Sequence, residues 1–124
     1  MFLKNNCLYF SSAEYSSGFN NKFNNGFGVD LELFKLDLDN LKIIKIDAGN
    51  FHSFSVNNQS EIYLMESDPL YKQTSISKIC TDGKKDILFT LDLMVFNILE
   101  YKDSYILNAR KNSYDPSSDS QNLN

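Results

Sequence analysis

From Leu31 to Leu38 apolar and polar positions alternate, with Leu31, Leu33, Leu36 and Leu38 set against Glu32, Lys35 and Asp37, and the phase slips once at Phe34. Alternate side chains of a strand point to opposite faces, so the segment predicts a half-buried strand with a bulge at Phe34. Three short apolar runs follow, Ile43–Ile46, Phe54–Val56 and Ile62–Leu64, separated by Asp47-Ala48-Gly49 and by the turn Asn57-Asn58-Gln59-Ser60. They predict three antiparallel neighbours joined by tight connections. Beyond a loop containing Pro69 the outline returns as Ile79, Ile87–Phe89 and Val95–Ile98. Ile43, Ile46, Phe54, Val56 and Ile62 all stand 33 residues ahead of Ile76, Ile79, Ile87, Phe89 and Val95, and this constant offset predicts a repeated unit.

The ends of the chain read differently. Asn5 to Gly28 is rich in Asn, Ser and Gly, with Phe19, Phe23 and Phe27 between them, and predicts a long loop pinned by aromatics. Within it Leu8-Tyr9-Phe10 matches Ile62-Tyr63-Leu64, as though the chain began partway through a unit. From Asn108 to Asn124 there is little to bury, which predicts a β module over residues 1–107 and a polar arm over residues 108–124. Each ordered residue costs about 1–2 kcal/mol of backbone entropy, so a partner is expected to order that arm, chiefly through Arg110 and Tyr114.

Composition supports strands. Hydrophobic residues make up 42% of the 124 positions and aromatics 14%, enough for a core, and the aromatic and β-branched bias suits a pleated surface. The net charge of -4 and the single arginine, Arg110, argue against a general nucleic-acid clamp and against sequence-specific DNA reading. The basic pairs Lys84-Lys85 and Arg110-Lys111 are candidate partner contacts, with Tyr114; Lys42 with Lys45 reads as a solvated face. Cys7 and Cys80 form neither a disulfide framework nor a C-x-x-C pair. Neither a secretory leader nor a long apolar span is recognisable, so no membrane contact is expected and the cytoplasm or nucleus is the expected location.

Candidate chemistry is thin. His52, the only histidine, is expected to bond to the backbone at a turn into a strand, and Asp47 and Glu61 lack metal-ligand spacing with it. A nucleophilic pair would need Cys80 to meet His52 across the fold. Asp37 and Asp39 share a strand face, but the leucines between them claim the core side. Gly26-Phe27-Gly28 and Asp82-Gly83-Lys84-Lys85 read as turns, since neither leads from a strand into a helix. The expectation is a non-catalytic protein with no cofactor and no metal.

Residues Ile43 to Val56, with Ala48-Gly49 before His52-Ser53, followed by Glu61-Ile62-Tyr63, resemble a unit of the regulator of chromosome condensation repeat family. Leu8-Tyr9-Phe10 is similar to that family's closing strand. The likeness spans roughly residues 1–98 and departs from the pattern at several points: there is no Trp, Ser11 replaces a Gly, Lys85 replaces a His, and the Gly-Gln-Leu-Gly turn is missing near Ser16 to Phe19. The resemblance implies about two propeller-blade-like repeats, too few to close a ring. The expected fold is therefore all-β, a small antiparallel sheet or sandwich, with an extended C-terminal arm. The expected role is an interaction module, an accessory or inhibitory factor docked in a large assembly, with a ribosome or other ribonucleoprotein, including its rRNA, as candidate host. A subunit of a protein-only complex and, from the family's founding members, a regulator of a small GTPase are the alternatives.

Overall fold

A computed structural model describes residues 1–15, 29–68 and 72–111 of the chain. Ten strands run through them: β1 (Phe2–Lys4), β2 (Cys7–Tyr15), β3 (Val29–Asp37), β4 (Lys42–Ile46), β5 (Ser53–Val56), β6 (Ile62–Ser67), β7 (Thr74–Ile79), β8 (Lys85–Leu91), β9 (Met94–Tyr101) and β10 (Ser104–Arg110). No helix occurs among the described residues. The strands form an N-terminal sheet β1-β2-β3-β4, a central sheet β5-β6-β7-β8 and a C-terminal hairpin of β9 and β10, all antiparallel. The protein is thus all-β, built of small antiparallel sheets.

Local chemistry sets the reversals. Asn5 and Asn6 both have positive φ, 50° and 62°, between the paired residues Lys4 and Cys7. Two left-handed residues in a two-residue loop match the twist of a hairpin, and Asn tolerates that region better than most side chains. At the β5–β6 turn the Asn57 Oδ1 accepts from the amides of Gln59 and Glu61 at 3.0 and 2.9 Å. Gly83, with φ of 87°, turns β7 into β8, and its amide donates to the Cys80 carbonyl at 2.8 Å.

The sheets stack face to face, with the central sheet in the middle. Tyr9 and Leu33 from the N-terminal sheet pack on Phe54, Val56, Ile62, Leu64 and Ile79. On the opposite face Tyr63, Met65 and Ile76 pack on Val95 and Ile98 of the hairpin. β6 therefore has no solvent side, and Ile62, Tyr63, Leu64 and Met65 are buried in succession. Two irregularities in register serve this packing. Val95 and Ile98 are three residues apart, a spacing that would put them on opposite faces of a regular strand. The register shift opposite Asn108 and Ala109 leaves Phe96 unpaired, and both residues reach the central sheet. A similar shift between Ile76 and Ser77 leaves Leu88 unpaired in β8.

Five expectations are corrected. β4 is not a neighbour of β5: it pairs with β3, with Leu36 opposite Ile43, while β5 starts the next sheet. The tight turn after Asp37, closed by the Leu41 amide on the Asp37 carbonyl at 2.8 Å, folds β4 back on β3. Residues 47–52 then cross between sheets, with Ala48 and Phe51 buried and Gly49 at a φ of 70°. The 33-residue offset consequently matches segments in unlike places, since β7 pairs with β8 whereas β4 and β5 do not pair, and β9 pairs with β10 rather than β8. Phe34 makes no bulge: β3 pairs with β2 without a break, Leu31 and Leu33 face the core, and Phe34 stacks on Phe10 across the other face at 5.5 Å. The segment read as a loop from Asn5 contains β2 as far as Tyr15, while Phe19, Phe23 and Phe27 lie outside the described residues. Finally, Asn108–Arg110 belong to β10 and not to the polar tail, of which residues 112–124 lie outside the described residues.

Burial separates two isoleucines of equal size. Ile76→Ala, at a position with 0% exposure, is expected to cost about 2–5 kcal/mol in urea unfolding. Ile87→Ala, at 72% exposure, is expected to change stability by about 0.5 kcal/mol or less. Equal losses at the two sites would contradict the layer assignment.

Candidate functional site

The basic residues singled out as partner contacts do not form one patch. Lys84 is exposed in the β7–β8 turn, and its amide donates to Asp82 Oδ1 at 2.9 Å. Lys85 opens β8 and donates from Nζ to the Ala48 carbonyl at 3.2 Å, closing the crossover between sheets. Arg110 lies opposite Met94, at the far end of β8 and past its turn, so roughly 20 Å of strand separates the two pairs. Its guanidinium sits over the Phe96 ring, 5.6 Å from the centroid. Lys111 is exposed beside it, and Tyr114 lies outside the described residues.

A polar seam that the sequence did not announce joins the hairpin to the central sheet. His52 Nε2 lies 2.8 Å from the Val95 carbonyl, the Ser53 hydroxyl donates to the Phe96 carbonyl at 2.9 Å, and the Ser55 hydroxyl donates to the Ile98 carbonyl at 3.0 Å. Asn57 Nδ2 continues the line to Glu100 Oε2 at 3.1 Å. Every pair is 43 residues apart, so β5 and β9 run alongside each other in fixed register. The seam is written in the sequence as His-Ser-x-Ser-x-Asn, but three of its four acceptors are main-chain carbonyls, which have no sequence signature.

His52 is held at both ring nitrogens. A carbonyl cannot donate, so Nε2 carries the proton and Nδ1 is left to accept from Ser67 Oγ at 3.1 Å. Burial lowers the pKa of the imidazole, and the bond to Val95 offsets this in part. Thr74 extends the network, donating to the Leu93 carbonyl at 2.8 Å and accepting from the Val95 amide at 3.1 Å. At the other end of the seam Tyr63 donates to Glu100 Oε2. Burial and that carboxylate raise the tyrosine's pKa, while bonds from Tyr63 and Asn57 lower that of Glu100. Glu61, bonded to Asn57 and 3.2 Å from Lys78 Nζ, is also lowered.

A cleft of about 240 Å³ opens at this end of the seam, lined by Lys4, Asn57, Asn58, Tyr63, Glu100 and Lys102 among others. Among the described residues no group of three or more His, Cys, Asp or Glu side chains is placed to hold a metal. Asp37 and Asp39 are occupied by the β3–β4 turn: Asp37 accepts the Asp39 amide, and Asp39 accepts Asn6 Nδ2. Cys7 and Cys80 are free thiols, both half-buried. No helix among the described residues is long and apolar enough to cross a membrane.

The described residues also expose large apolar side chains. The outward face of the N-terminal sheet carries a cross-strand row of Leu3, Leu8, Leu36 and Ile43. The outward face of the hairpin carries Leu99 opposite Ile106, with Tyr101 and Phe96 nearby, all of them exposed. Both ends of the stack thus present the kind of surface that its interior buries. The chain matches no family model, no curated protein and no solved structure.

The histidine gives a pH test. Its folded pKa lies below the ordinary value of 6.5, so the unfolded chain binds the proton more readily. The stabilisation from neutral His52 is complete above that ordinary value and is lost as pH falls through the lowered folded one. Melting temperature is expected to drop between pH 7 and 5, and His52→Gln, which keeps a donor but no titration, should remove this component. The depressed Glu61 and Glu100 act lower, through loss of stability as pH falls below about 4.5. An NMR titration of the single histidine giving a pKa at or above 6.5 would contradict the seam.

Proposed function

We propose that this protein is a non-catalytic interaction module that docks in a larger assembly by covering its two apolar outer faces with protein. The observation that carries this reading is the exposure of large apolar side chains on both ends of the stack, Leu3 and Ile43 on one and Leu99 and Ile106 on the other. Contiguous apolar surface on a small domain is costly in water and is stabilised by a partner. A protein host fits better than an RNA host: the net charge is -4, the basic pairs lie at opposite ends of a strand, and the Lys85 ammonium is bonded to Ala48.

We also propose that the layers are related to blades of the regulator of chromosome condensation family. In support, Tyr9 pairs with Lys35 in the N-terminal sheet as Tyr63 pairs with Lys78 in the central one, and Leu8 with Leu36 as Ile62 with Ile79. Ala48-Gly49 and His52-Ser53, which carry the resemblance in sequence, occupy the crossover between these sheets and the start of the second.

Affinity purification from the native source with quantitative mass spectrometry tests the docking role. Tagged wild-type protein is expected to recover a protein partner in near-stoichiometric amount, insensitive to ribonuclease. Leu3→Lys or Leu99→Lys, each at an exposed site and checked for folding by circular dichroism, should deplete that partner at least about tenfold, the equivalent of 1.4 kcal/mol. Recovery unchanged by both substitutions, or abolished by ribonuclease, would overturn the reading.

A further inference from the structure

This inference rests on the protein-binding role just proposed and names the partner. Each layer uses one face to pack on the layer before it and the other to receive the layer after it. The second strand of each layer has one residue that faces away from the preceding layer, towards where the next one packs. Tyr9 pairs with Phe2 in the N-terminal sheet, Tyr63 with Ser55 in the central sheet, and Ile106 with Leu99 in the hairpin. Tyr9 is 3% exposed because the central sheet covers it, and Tyr63 is 1% exposed because the hairpin covers it. Ile106 is 54% exposed.

The opposite end shows the complementary deficit. In the central sheet the row Val56, Ile62 and Ile79 is buried against the N-terminal sheet. The same row in the N-terminal sheet is Leu3, Leu8 and Leu36, extended by Ile43, and its ends Leu3 and Ile43 are each 62% exposed. One molecule therefore carries, at its two ends, both halves of the kind of contact that joins its first two layers. Among the described residues, each half is unfilled at its own end of the stack.

We propose that a second copy of this chain stacks head to tail on the first, its Leu3-Leu8-Leu36-Ile43 row covering the Leu99–Ile106 face of the hairpin. The contact between the first two layers supplies the template: an aliphatic row laid on a facing strand pair, at the spacing of about 10 Å usual for packed sheets. Such a contact joins unlike surfaces, so it does not close on itself as a two-fold dimer does; it propagates into a ring or a filament. The hairpin offers only two strands, a narrower face than the four-stranded sheets that pack within the molecule. Association is accordingly expected at concentrations on the order of 100 μM rather than at nanomolar levels.

Sedimentation equilibrium of the purified full chain from about 5 μM to about 1 mM tests this, with folding checked by circular dichroism. The wild-type average mass is expected to rise with concentration beyond that of a dimer. Ile106→Lys removes the receiving face and Ile43→Lys removes the covering face, and each variant alone should be monomeric. Mixed one to one, the two should form a dimer that grows no further, because one good face remains on each. A wild-type chain that stays monomeric at about 1 mM would overturn the proposal. So would self-association that survives in either variant, which would indicate a two-fold contact, or a mixture that stays monomeric. A monomeric chain that still loses a captured protein on Leu99→Lys would remove the second copy as partner and leave the docking role standing.

Discussion

The inner strand β6 has no face left for water, and the rest of the molecule is arranged around that constraint. A strand that is apolar on both sides is stable only if something covers each side, and the chain supplies one cover for β6 from the sheet before it and another from the hairpin after it. Tyr63, Leu64, Met65 and Ile76, each at most 1% exposed, lie on these two contacts. Fully burying side chains of this size contributes about 1.5–3 kcal/mol each, so the two contacts together outweigh any single ion pair on the surface. The bulge at Phe96 belongs to the same constraint, since without it Val95 and Ile98 could not both reach the central sheet.

Apolar stacking is tolerant of sliding, and the polar seam removes that freedom. The imidazole of His52 and the hydroxyls of Ser53 and Ser55 in β5 meet carbonyls of β9 at one constant offset, so a shift of one residue would leave donors and acceptors in the seam without partners. Each such orphan costs about 1–3 kcal/mol, more than the net gain from a well-made hydrogen bond. Ser55, Thr74 and Ser77 are buried polar residues, and the first two have their hydroxyls bonded to the carbonyls of Ile98 and Leu93. The seam thus fixes where the third layer sits, while burial supplies the attraction. The apolar outer faces left at the two ends have no such fixing within one copy of the chain, which is the physical root of the docking role proposed above.

Much of the strand content was legible from alternation and β-branched residues, and sheet membership was not. Ile43–Ile46, Phe54–Val56 and Ile62–Leu64 are all strands, yet nothing in their periodicity distinguishes a turn that folds back within a sheet from a link that crosses to the next. That distinction lies in the six residues after Ile46, where buried Ala48 and Phe51 carry the chain across. The slip at Phe34 was misread because alternation assumes one wet face, whereas β3 is apolar on both, with Leu33 toward the core and Phe34 stacked on Phe10. β2 was obscured by its serines, Ser11 and Ser12, which are exposed in the strand. At the level of sites, the backbone bond of His52 followed from its place at a strand entry. The bond of Lys85 to the Ala48 carbonyl was not legible, because it depends on a contact 37 residues away.

Amide hydrogen exchange resolved by residue measures the central claim directly. If the middle layer is the element on which both others depend, the amides of β6 and β7 should exchange only through global unfolding and be the slowest in the chain. Those of β10, on a hairpin covered on one face, should open earlier through detachment of the third layer, and Ser55→Ala should speed that opening without equal effect on β6. Amides of β6 and β7 that exchange as fast as those of β10, or a Ser55→Ala change felt equally in all three layers, would contradict the account.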